Sequence, residues 1–160
     1  MDRELQGIVA AIKNEIGYTM IKQMEPCRQM FAQYAQNEVL DKYVPKGYIR
    51  RSGEDGAGPY EGTTGVADKR SYEITVNNND LTMTIESTVQ GNPRYENSQD
   101  GWDPGNITDI IESGRGYNWK RSEIYKQMIP RPWMDKAGDD FVDNLLGPMI
   151  DIALTKLLGG

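Results

Sequence analysis

The sequence predicts an α+β fold: a long N-terminal helix and a C-terminal helix packed on a small, mainly antiparallel sheet, with long glycine-rich loops between them. Three observations predict it. Apolar residues recur three or four apart at both ends of the chain, which is the spacing of one helical face. Two central runs alternate apolar and polar residues, the period of a strand. The stretches between them are rich in glycine and proline, which punctuate regular structure.

Size and charge set the frame. A chain of 160 residues, 38% of them hydrophobic, suffices for one core, so residues 1–160 are expected to form a single domain. No apolar run has membrane-spanning length, and Asp2 and Glu4 stand where a secretion signal would carry bases, so a cytosolic or lysis-released protein is expected. Cys27 is the one cysteine, which rules out an internal disulfide and suggests a buried, inert thiol. Histidine is absent, which removes Ser-His-Asp and Cys-His nucleophile pairs and every zinc site that needs an imidazole. A net charge of −6 argues against a protein whose main work is gripping nucleic acid, because neutralising phosphates takes a surplus of Lys and Arg.

From Asp2 to about Tyr43, Leu5, Ile8, Val9, Ile12, Ile16, Met20 and Met24 define the buried stripe of a long amphipathic helix. Pro26 lacks a donor and disfavours helix at Glu25, so a kink or break is expected there before Met30, Phe31 and Tyr34 continue the stripe. Residues 44–70 form a glycine-rich loop. No lysine follows its glycines in a phosphate-loop pattern, and Glu54, Asp55 and Glu61 lie among them, so the loop suits docking against a partner better than cradling phosphate. Ser71–Val76 and Leu81–Val89 alternate as two strands, with Tyr72, Ile74 and Val76 on one face and Leu81, Met83 and Ile85 on its counterpart. Asn77-Asn78-Asn79-Asp80 between them reads as the turn of a hairpin.

A second irregular loop, 90–105, leads to a short helix capped by Asn106, with Asp109 in its first turn, Ile107, Ile110 and Ile111 on its buried side, and Gly114 as its left-handed terminator. Asn106-Ile107-Thr108 matches a glycosylation acceptor, here read as chance because no secretion signal precedes it. Pro130 and Pro132 impose an extended approach to a last helix, in which Met134, Ala137, Phe141, Leu145, Met149, Ile152 and Leu157 form the stripe. Gly147-Pro148 is expected to bend it.

Two charged constellations stand out. Arg115, Lys120, Arg121, Lys126 and Arg131 face the single acid Glu123 over 115–131, interleaved with Tyr117, Trp119 and Tyr125. Bases mixed with aromatics suit nucleic acid, a solvated surface or a neighbouring subunit, and the chain's net acidity favours the last two. Asp135, Asp139 and Asp143 stand four apart and project from one helix face. They form a solvated face, a carboxylate metal site that would need ligands from another element, or an acidic wall complementary to a neighbour's 115–126 segment. Paired carboxylates such as Glu112 with one of these aspartates would be needed for acid–base catalysis, and no spacing singles out a pair, so no enzyme and no cofactor are expected.

The run Asp109-Ile110-Ile111-Glu112-Ser113-Gly114, followed by Pro130-Arg131-Pro132-Trp133-Met134 and a closing amphipathic helix, resembles a family of small tailed-bacteriophage proteins. These are the minor tail-component or tail-completion proteins of the head–tail neck. In them a motif of the type isoleucine-glutamate, aromatic or small residue, glycine precedes an arginine-proline-aromatic motif that opens the C-terminal helix. Ile111-Glu112 with Gly114, and Arg131-Pro132-Trp133, occupy those places here. Trp133 stands where phenylalanine is commoner, and Arg50–Arg70 is a long insertion. The resemblance implies a virion structural protein, made in the host cytoplasm, that forms a homohexameric ring around the DNA channel. Its expected neighbours are the tail tube or tail terminator and the connector or head-closure protein, with DNA passing through the lumen unbound. Residues expected at subunit or partner contacts are Glu112, Arg115, Tyr117, Trp119, Lys120, Arg121, Arg131, Trp133, Asp135, Asp139 and Asp143. Rival readings are a tail terminator or head-closure ring of the same neck, a ligand-binding protein or hydrolase with Gly53–Gly65 as a lid, and a nucleic-acid module using 115–131.

Overall fold

The computed structural model describes residues 3–42, 65–89, 107–114 and 129–159. Helix α1 spans Arg3–Lys22 and α2 spans Met24–Ala35, continued by a wider π turn over Gln36–Leu40. A 3-10 turn at Lys69–Ser71 leads into strands β1, Tyr72–Asn77, and β2, Thr82–Ser87. Helix α3 is Ile107–Ser113, α4 is Trp133–Phe141, and a π segment at Val142–Leu146 joins α4 to α5, Gly147–Leu158. Helices with a two-stranded antiparallel sheet make the expected α+β fold.

The first helix does break, but at Gln23 and not at Pro26. The Gln23 amide is shared between the Thr19 and Met20 carbonyls, both at 3.1 Å, and Gln23 O accepts from Cys27 N at 2.9 Å. Pro26 falls in the first turn of α2, where backbone amides have no helical acceptor and a missing donor costs nothing.

The hairpin turn lies one residue later than the asparagine run suggests, because Asn77 pairs with Thr82 in the ladder. Asn77 turns the chain with its side chain. Its Oδ1 accepts from Asn79 N at 2.9 Å and its Nδ2 donates to Asp80 Oδ2 at 2.7 Å. The left-handed position then falls on Leu81, with φ 53°. Helix α1 comes so close to this turn that a Cβ on Gly17 would stand 2.5 Å from Asn78 Oδ1.

The core lies between α2, α4 and the inner face of β1. Cys27, Phe31, Ala32, Tyr72, Ile74, Ala137 and Phe141 form one cluster, and Ala35, Val39, Val66, Val89 and Trp133 the other. Phe31 and Tyr72 meet at a 5.7 Å centroid distance, tilted by 58°. Cys27 is fully buried, and burial pushes its thiol up to about 12.

Both terminal stripes depart from expectation. On α1 only the C-terminal half is covered: Met20 is buried and Ile12 and Ile16 are half-buried, whereas Leu5, Ile8 and Val9 are exposed. On α5 no residue is fully buried, and Met149, Ile152 and Leu157 face outward. The two helices pack on each other. The bend expected at Gly147-Pro148 takes the form of the π segment directly before it. Pro148 has no amide for the Asn144 carbonyl, and the Gly147 amide donates to Val142 O, where a Cβ on Gly147 would stand at 2.9 Å.

Candidate functional site

The two halves of the sequence motif meet in space. Arg131 N donates to Ile111 O at 3.1 Å, and the Glu112 carboxylate accepts from Met134 N at 2.6 Å. Gly114 ends α3 with φ 63°, as its position predicts. Pro132, at the N-cap of α4, has no side-chain acceptor to offer the helix amides, so Glu112 performs the capping from another element. The result is a clasp that ties α3 to the start of α4.

Under the clasp lies Trp133, 0% exposed. Its Nε1 donates to the Tyr72 hydroxyl at 3.1 Å, and that hydroxyl donates to Val66 O. Burial pushes the Tyr72 hydroxyl above its ordinary range. The chain of bonds joins α4, β1 and the end of the 44–70 loop through three buried groups. Asp68 caps the adjoining 3-10 turn by accepting from Arg70 N at 2.8 Å, and the Arg70 guanidinium holds its carboxyl below the usual carboxylate range. From the other side Thr108 Oγ1 donates to Ser87 Oγ at 2.7 Å, fastening α3 to β2.

Glu112 is half-buried, and burial raises its carboxyl above the ordinary value, against the lowering effect of the Met134 amide and with Asp135 adding to the rise. Glu38 is its opposite. Lys136 Nζ at 2.7 Å and Lys42 Nζ at 2.6 Å hold its carboxyl below the usual range. Tyr34 donates to Asp140 Oδ2 at 2.9 Å, a second tie between α2 and α4.

Of the residues expected at subunit or partner contacts, Glu112 and Trp133 make these hydrogen bonds inside the chain. Arg131 is half-buried, with its backbone in the clasp. Asp135, Asp139 and Asp143 are exposed along α4 and the π segment. Arg115, Tyr117, Trp119, Lys120 and Arg121 lie outside the described residues, as do Asn106, the Gly53–Gly65 loop up to residue 64, and the side chains of Ile107 and Ile110. Among the described residues no three His, Cys, Asp or Glu side chains are grouped so as to hold a metal ion. Sequence reasoning missed Tyr72 and Val66 as partners of Trp133. Strand alternation puts Tyr72 inside but says nothing about where its hydroxyl ends.

A protein-family model matches residues 4–153, nearly the whole chain, and that family is YomN. The chain belongs to the YomN family. It is therefore a phage-related protein. The YomN match takes in α1 through most of α5, including both halves of the clasp and the exposed acidic face. No curated protein and no solved structure matches the chain.

Proposed function

We propose that this phage-related protein is a structural component of the virion neck, where copies of it close as a homohexameric ring around the DNA channel between head and tail. The observation that supports this reading is the clasp. The two short motifs that resemble those of neck and tail-completion proteins are held together by Ile111 O–Arg131 N and Glu112–Met134 N, which ties the end of α3 to the start of α4. Its work is mechanical and not enzymatic. Arg115, Lys120 and Arg121, with Tyr117 and Trp119, meet the acidic Asp135, Asp139 and Asp143 of the next copy, and cyclic symmetry permits such a contact to close. The tail tube or terminator lies on one side and the connector or head-closure protein on the other. A surface of net negative charge lets DNA pass without adhering.

The test is a phage with the gene interrupted by a nonsense codon. The expected product is filled heads and free tails, restored to infectious particles by the wild-type protein, which mass spectrometry then finds in purified virions. Normal particle yield without the protein, or its absence from purified virions, would sink the proposal. Reversing Arg115, Lys120 and Arg121 to glutamate should reproduce the nonsense phenotype while the variant stays folded.

A further inference from the structure

We infer that the projecting half of α1 packs onto the open face of α5 of a second copy of this chain, in a head-to-tail contact. Residues 3–11 are exposed throughout, although they carry Leu5 at 50% exposure, Ile8 at 46% and Val9 at 42% on one helical face. Nine helical residues rise about 14 Å, and a helix that short is marginal in water without tertiary packing. A covering surface would remove this stripe from water and hold the first turns of α1. The chain supplies one of matching character in α5, which is apolar around most of its circumference: Ile150, Ala153 and Leu154 turn partly inward, while Met149, Ile152 and Leu157 remain exposed.

Charge selects the occupant. Helices α1 and α5 together carry four bases, Arg3, Lys13, Lys22 and Lys156, against three acids, Glu4, Glu15 and Asp151, whereas the whole chain is at −6. Two copies that approach through these helices meet no like-charge repulsion, which a contact of α4 on α4 would bring. A nucleic acid or an anionic membrane would need a basic surplus that is missing from both helices. Because α1 and α5 offer different surfaces, the contact is heterologous, and each copy still has one free half after pairing.

The test uses the full chain with Ile8→Glu, which spoils the projecting half, and Ile152→Glu, which spoils the receiving half. In sedimentation velocity the wild type should show a mass that rises with concentration. Each variant alone should associate at least about tenfold more weakly. An equimolar mixture should form one-to-one dimers, since each variant retains the half that the other lacks. Circular dichroism checks that both variants are folded, and Val9→Glu with Met149→Glu gives a second pair should either lose structure. A wild type that stays monomeric to about 1 mM, variants that associate like wild type, or a mixture that stays monomeric would each overturn the inference. Failure here leaves the virion reading intact, because that reading is tested by particle composition.

Discussion

Two regions of this protein carry the same kind of apolar stripe and meet opposite fates. On α2 and α4 the stripe is sealed, and Phe31, Ala32, Ala137 and Phe141 are buried against β1. On the projecting half of α1 and along α5 the stripe is open, and Leu5, Ile8, Ile152 and Leu158 face outward. Periodicity is alike in both. What differs is the polar bonding around them: the sealed region is crossed by Trp133–Tyr72–Val66, Glu112–Met134, Tyr34–Asp140 and Lys136–Glu38, whereas among the described residues the side-chain bond of α5, Thr155 Oγ1 to the Asp151 carbonyl, stays within its own helix. Long-range polar ties mark where the chain is meant to close on itself. On α1 and α5 the apolar surface stays open.

The contrast predicts a steep gradient of mutational cost. Trp133→Ala should be the most damaging change in the sealed region. It removes a fully buried indole and the Tyr72 hydrogen bond together, for a loss of about 3–5 kcal/mol in urea unfolding. Trp133→Phe keeps most of the apolar volume and separates the two contributions. Combined with Tyr72→Phe in a double-mutant cycle, it should show coupling of about 0.5–3 kcal/mol, and strict additivity would mean the indole N–H to hydroxyl bond contributes nothing.

Next in size stands the clasp. Glu112→Ala leaves the Met134 amide without its acceptor and should cost about 1 kcal/mol, as loss of a helix cap does. Glu112→Gln keeps an acceptor and abolishes the ionisation, which isolates the pH effect. The folded carboxyl lies above its ordinary value, so its contribution is fully present below that value and is lost as pH rises through the folded one. Wild-type stability relative to Glu112→Gln should therefore improve as pH falls from neutral toward 4.5, the ordinary carboxyl value. Asp68 runs the other way. Its carboxyl is held low by Arg70, so it stabilises above the ordinary value and that contribution fades as acid protonates the folded form. Matching pH slopes for Glu112→Gln and Asp68→Asn would contradict this opposition.

The fold class, the hairpin, the Gly114 terminator and the bend near Gly147-Pro148 are legible in the sequence because each rests on local physics, namely period, φ preference or a missing donor. The first break falls upstream of Pro26 because a proline interrupts a helix at the carbonyl four residues before it, here Lys22 where α1 ends, and then sits without cost in the first turn of α2. Tertiary facts are less legible. Glu112 and Met134 are joined by a bond between elements far apart in the chain, and no spacing rule foretells that the carboxylate turns to the α4 amide. Nor does a stripe reveal which of its residues will be covered, since Ile8 and Met20 belong to one periodic face and only Met20 is buried.

That last difference sets the smallest expected effect. Ile8→Ser and Ile152→Ser each replace an exposed apolar side chain, so the stability of the isolated chain should change by no more than about 0.5 kcal/mol, as is usual for surface sites. Measured in dilute solution, the cost should stay there. At concentrations where copies meet, the same substitutions should lower the melting temperature of the wild-type assembly, because association stabilises the folded state by mass action. If Ile8→Ser instead costs as much in dilute solution as a core truncation, the stripe on α1 belongs to the chain's own interior, and the sealed and open regions are one.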